Sequence, residues 1–228
     1  MTCYFWGCTA KGTTREHIPP RAFFPEDERE QLLTVRSCDL HNGRKSTDDL
    51  YVLAQICMNA SPNNRAREIF MERVAPQLSH NNGALRKLLT KDAQPVSGGV
   101  IYPVDIARFD EFFTALSCGL IFKYQKMQLP PAYQINHIYH QLVSHIDENA
   151  RKLERAIDAF YGGKPMGGFA FGTPDARNQR IYTVDIFGVP RFQSSITIVH
   201  IFFGVFKVTS MLSRAASPNG EQASVRKP

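Results

Sequence analysis

The amino-acid sequence predicts an α+β fold in which a helical region leads into a C-terminal antiparallel β portion. Three observations carry this reading. Ile106, Phe109, Phe112, Phe113, Leu116, Leu120 and Ile121 recur at helical spacing and place an aromatic stripe on one face. Beyond Gly162-Gly163 the pattern changes to short β-branched and aromatic runs at 169–171, 180–187 and 192–208, punctuated by Gly172, Pro174, Gly188 and Pro190. Ahead of both lies a Cys- and His-bearing stretch with little apolar core of its own. The organisation expected is a motif-bearing unit at 1–58 and a helical plus antiparallel β domain at 59–213. A polar, basic, disordered tail at 214–228 completes it.

Taken in order, 31–35 is short and partly β-branched and reads as a strand. A helix follows Asn42, with Ser46 or Thr47 as cap and Asp48 and Asp49 in its first turn. Leu50, Leu53, Ala54 and Cys57 give that helix its apolar stripe. Breakers fill 59–64, and two short helical patterns follow at about 65–75 and 83–91. Gly, Pro and Ser mark 94–102 as a loop or linker. The 106–121 helix comes next, and Pro130-Pro131 ends the region behind it. A last helix is expected at 147–160, so the chain should be α-rich from about 48 to 162. The strands should pack on the 106–121 helix, because both present large aromatic faces.

Composition narrows the function without naming it. The chain has 228 residues and a formal charge of +6, from 27 Lys and Arg against 21 Asp and Glu. That excess permits a polyanionic partner without requiring one. The most apolar run, 196–206, contains His200 and is far shorter than the ~20 apolar residues a spanning helix needs. Residues 1–20 show no apolar run behind a basic start, so no membrane partner is expected and a cytoplasmic location is. Five cysteines, an odd number with three near one motif, favour metal over disulfides in a reducing compartment.

The informative residues are Thr14-Arg15-Glu16-His17-Ile18-Pro19-Pro20, then Cys38-Asp39-Leu40-His41-Asn42-Gly43-Arg44-Lys45, with Cys3 and Cys8 upstream. Phosphodiester hydrolysis needs an activated water, a stabiliser of phosphoryl charge and help for the departing oxygen. A neutral imidazole such as His17 suits the first task, because its proton affinity lies near working pH. Glu16 offers the hard oxygen that Mg²⁺ prefers, and Asn42 offers a second oxygen across the site. Singly, each has a plainer reading. Asn42-Gly43 alone is a turn, and Asp48-Asp49 is a charge pair at a helix start.

The ordered set Glu-His-x-Pro, then Cys-x-x-His-Asn-x-x-Lys, resembles the HNH endonucleases over residues 1–55. The resemblance implies a ββα-metal unit and DNA hydrolysis with Mg²⁺ or Mn²⁺. It assigns His17 as general base, Glu16 and Asn42 as cation ligands, and Lys45, Arg44 and Arg15 as nucleic-acid contacts. Lys45, Ser46, Asp48, Asp49 and Tyr51 also look like one subgroup of the family. The family's middle Asn has no counterpart, for no Asn stands between His17 and Asn42.

The resemblance also implies a structural zinc, with Cys3, Cys8, Cys38 and His41 as the expected ligands. The first knuckle is irregular: Trp6 stands where a second Cys belongs and Cys8 comes two residues late. The alternative is that the metal is lost and Trp6 packs in its place. Cys57 and Cys118 read as core residues. His137, His140 and His145 lack a carboxylate or Cys to complete a set and read as polar-face histidines. Two other functions stay open. One is a non-catalytic zinc module that binds nucleic acid, and the other is an interaction domain at 100–212. The aromatic helix face also allows a homo-oligomer.

Overall fold

The structure, a computed structural model, describes residues 1–42, 46–60, 63–140, 167–169, 176–188 and 195–214, with isolated positions between 142 and 159. Arg44, Lys45, His145, most of the expected 147–160 helix and the tail beyond 214 lie outside the described residues, as do the side chains of Ser46 and Thr47. Helices and antiparallel sheets together make an α+β fold.

The N-terminal strands β1 (Thr14–Ile18) and β2 (Leu33–Ser37) pair antiparallel, with Arg15 opposite Arg36 and His17 opposite Thr34. A single turn, α1 (Asp39–Asn42), and the longer α2 (Ser46–Asn59) follow. Tyr51 to Cys57 are buried almost without interruption, so α2 is a core helix rather than a surface one. After it, α3 (Asn64–Ile69) starts at Asn63, whose side chain accepts the Ala66 N–H at 3.0 Å. Wider and tighter turns carry the chain to α4 (Ala84–Leu89).

The stretch expected as a loop at 94–102 instead holds a small hairpin of β3 (Gln94–Val96) and β4 (Gly99–Ile101). Gly98, at φ +86°, turns it. Its strands are exposed throughout, which is why they leave no buried alternation to read.

The aromatic stripe becomes α5 (Ile106–Gln125), capped by Asp105 and closed by Lys126 in the left-handed conformation. Five strands form one antiparallel sheet: β5 (Tyr133–Tyr139), β6 (Gly167–Phe169), β7 (Tyr182–Gly188), β8 (Ile196–Phe202) and β9 (Phe206–Arg214), ordered β5-β9-β8-β7-β6. β5 corrects the expectation of helix through this region. Its two-residue alternation was hidden because His137 stands at an inward position. The imidazole is accommodated there by Ser210 Oγ at 2.8 Å and Thr114 Oγ1 at 3.0 Å.

The helix packs on the sheet as its stripe requires. Phe109 meets Tyr139 at 5.6 Å and Phe206 at 6.4 Å between ring centres, and Phe113 meets Phe202 at 6.2 Å. On its other side α5 touches the hairpin. A Cβ on Gly119 would fall 1.8 Å from Ile18 Cδ1, so this glycine is what lets the helix backbone reach β1. One continuous core runs from Cys3 to Leu212, joining the hairpin, α2, α5 and the sheet across residue 58. No helix among the described residues is long and apolar enough to cross a membrane.

Candidate metal centre and adjoining cleft

Cys3, Cys8, Cys38 and His41 come together, their ligand atoms all within 4.8 Å of one another. Cys8 Sγ lies 3.9 Å from Cys38 Sγ, and His41 Nδ1 lies 3.2 Å from Cys38 Sγ and 3.5 Å from Cys3 Sγ. A tetrahedral zinc site has edges of about 3.8 Å between sulfurs and about 3.5 Å between sulfur and nitrogen. These three separations are close to those edges, and the four donors are near enough to hold one metal ion. All five cysteines are free thiols.

Local backbone explains why the late Cys8 still arrives. The Cys3 N–H donates to Ala10 O and the Cys8 N–H to Phe5 O, folding residues 3–10 into a closed loop with Gly7 at φ +68°. The Tyr4 N–H donates to Arg36 O, docking that loop on β2. At the second knuckle the N–H groups of His41 and Asn42 both donate to Cys38 O. Phe5 stacks on the His41 ring at 4.1 Å and 13°, fixing its plane. Trp6 does not fill the metal position. From within the loop it packs against the core, and its indole N–H has no acceptor among the described residues.

Gln128 is the residue that sequence reasoning missed here. It lies beyond α5, yet its amide nitrogen reaches the carbonyls of Cys3, Phe5 and Cys8, the last at 2.8 Å. The loop that carries two of the donors is therefore held from outside the N-terminal unit. No local pattern around Gln128 announces this, because the partners are backbone oxygens.

Glu16 and His17 border a narrow cleft formed by β1, α2 and α5, together with Tyr4, Asp48, Arg108 and Glu111. Its free space is about 30 Å³, room for an ion or a water or two. Tyr4 is buried and hydrogen-bonds Glu16, and burial together with that carboxylate drives the phenol well above its ordinary range. The donor is thus locked in its protonated form and orients Glu16. Burial pushes the His17 imidazole below its ordinary value of 6.5; Arg21 and Arg29 push the same way, and Glu16 opposes them. His17 is therefore neutral near pH 7 and able to accept a proton.

Arg108 brings α5 into the cleft. It pairs with Asp48 across α2, bonds Asp105 at 3.0 Å, and lies 5.7 Å from the centre of the Tyr51 ring. Asp48 is thus half of an interhelical ion pair as well as a helix-start charge. Asn42, expected as a cation ligand, does not line the cleft: its amide donates to Thr14 Oγ1 at 2.9 Å and to Arg15 O at 3.3 Å. Arg15 lies on the exposed side of the hairpin.

His137 and His140 belong to no metal group among the described residues. His140 meets Thr209 Oγ1 at 2.9 Å, and His137 is partly buried between Ser210 and Thr114. Cys57 and Cys118 are buried core residues.

No family model matches the chain, and no curated protein and no solved structure matches it.

Proposed function

We propose that this protein is a metal-dependent endonuclease of the HNH type that hydrolyses phosphodiester bonds in DNA. The observation that carries the reading is a convergence: Glu16 and His17 border one cleft, on a strand–strand–helix unit whose Cys/His quartet is close enough to hold a metal ion. In this reading the quartet holds a structural zinc that braces the two knuckles.

His17 takes the proton of the attacking water. Glu16, oriented by Tyr4, would offer a carboxylate oxygen to the catalytic cation; Asn42, the second ligand that the family resemblance implies, would have to give up its bonds to Thr14 and Arg15 to join it. Mg²⁺ or Mn²⁺ at that point would neutralise charge on the phosphoryl group and the leaving 3′ oxygen. Lys45, Arg44 and Arg15 contact phosphates.

A second reading is a zinc module that binds nucleic acid without cutting it. The hydrogen bonds that hold the Asn42 amide against β1 favour it. The experiment that separates the two is plasmid nicking with Mg²⁺ or Mn²⁺. Loss of a general base costs ~10²–10⁴ in rate, so His17→Ala should nearly abolish nicking while zinc content and DNA affinity stay close to wild type. Unchanged nicking in His17→Ala would place the active site elsewhere. DNA binding with no cleavage under either metal in the wild type would favour the non-catalytic reading.

A further inference from the structure

A groove of about 400 Å³ opens along the hairpin, between β1, β2 and the C-terminal end of α5. Arg15, Arg36, Lys123 and Lys126 line it, with Thr34 and Phe122 and no carboxylate. Two of these cations come from the hairpin and two from the helix, so the N-terminal unit alone contains only half of the feature.

The arrangement is costly to leave empty. Arg15 and Arg36 are direct cross-strand partners, and like charges opposite one another destabilise a strand pair. None of the four cations has a carboxylate within ion-pair distance among the described residues. Two of them are also held in place. A Cβ on Gly12 would lie 2.8 Å from Arg36 Cβ, so the arginine stem crosses directly above that glycine. Lys123 Nζ donates to Thr34 O at 3.4 Å. Lysines at a helix C-terminus are favourable with the helix dipole, but the dipole explains neither arginine.

We propose that this groove is a track for the phosphate backbone of a nucleic acid, laid by α5 as well as by the hairpin. Continuity with the candidate base points to that occupant. Arg15 and His17 are two residues apart on one strand, about 6.6 Å, and Thr34 is both a wall of the groove and the cross-strand partner of His17. The groove takes the phosphates that flank the one facing His17, a placement that rests on the endonuclease reading. Arg36, Lys123 and Lys126 thereby become nucleic-acid contacts.

The test measures binding, so it stands apart from cleavage. Anisotropy of a fluorescein-labelled 20-base-pair duplex is followed against salt, with every protein carrying His17→Ala to prevent cutting. Each phosphate contact contributes about 0.9 to the slope of log affinity on log salt. Arg15→Gln with Lys126→Asn changes two exposed positions, Asn being tolerated at the left-handed Lys126. This pair should lower the slope by about 1.8 and weaken binding. Arg36→Gln with Lys123→Gln should do the same. Lys87→Gln with Lys91→Gln, an equal loss of charge on exposed residues at and just beyond α4, should leave the slope unchanged. An unchanged slope in the first pair, or an equal fall in the α4 control, overturns the proposal. Plasmid nicking that survives His17→Ala would sink the endonuclease reading while leaving these slopes as measured.

Discussion

A histidine that is to accept a proton from water must be neutral when substrate arrives, and the surroundings of His17 favour that form. Burial contributes most, then Arg21 and Arg29, and together they outweigh the neighbouring Glu16. In the proposed reaction the same arginines would draw a phosphate toward the site, so one pair of charges would serve binding and keep the base unprotonated. The acid limb of the cleavage profile should therefore fall below pH 6.5, the ordinary imidazole value. Arg21→Gln removes one of the two repelling charges, so the limb should move upward toward that value. Cleavage rates measured across pH at saturating metal check this. A limb that does not move in Arg21→Gln, or lies above the ordinary value in wild type, contradicts the account.

At the scale of elements, the candidate metal centre depends on a loop that closes on itself and is then clamped from a distance. The Gln128 amide satisfies carbonyls of the very segment that presents Cys3 and Cys8. Partners of this outer kind typically set 10–100-fold of a site's metal affinity. Gln128→Ala should weaken zinc retention by that order in competition with a chromophoric chelator, while far-ultraviolet dichroism of the metal-loaded protein stays unchanged. Retention equal to wild type would show that the clamp does not matter.

The α2 and α5 helices were legible in the sequence because periodicity is a local signal, and the four donors through the family resemblance of the residues around them. The clamp was not, since a glutamine bonded to backbone oxygens leaves no pattern. β5 is illegible for a related reason: His137 stands at a partly buried position on the strand, where Ser210 and Thr114 supply polar partners that leave no local pattern. The cleft was half legible. Glu16 and His17 stand in a motif, but Arg108 and Glu111 reach it only because Gly119 lets α5 lie against Ile18.

For the whole molecule, one core means that the sheet and the site rise and fall together. Its centre carries a polar network in which His200 meets Tyr182 Oη at 2.8 Å, Ser117 Oγ at 3.2 Å and Ser210 Oγ at 3.1 Å; His137 joins through Ser210. Burial pushes His137 down to about 4 and His200 well below its ordinary value. The unfolded chain therefore binds more protons than the folded one once pH drops below about 6.5. Stability is full above that point and falls as pH descends through 6.5 toward 4, by roughly 3 kcal/mol for His137 alone. Denaturant midpoints at pH 7.5, 6 and 5 measure it, and His137→Gln should flatten the fall. An equally steep fall in His137→Gln would remove this histidine from the cause.

The same continuity makes the cleft a joint product of hairpin, α2 and α5, and its role as the hydrolytic centre is the central claim. Anomalous diffraction from crystals of the intact protein grown with Mn²⁺ tests it most directly. The account predicts a manganese peak in the cleft at the Glu16 carboxylate, apart from the zinc peak at Cys3, Cys8, Cys38 and His41. Manganese bound elsewhere, with the cleft empty in protein that still nicks plasmid under Mn²⁺, would contradict it.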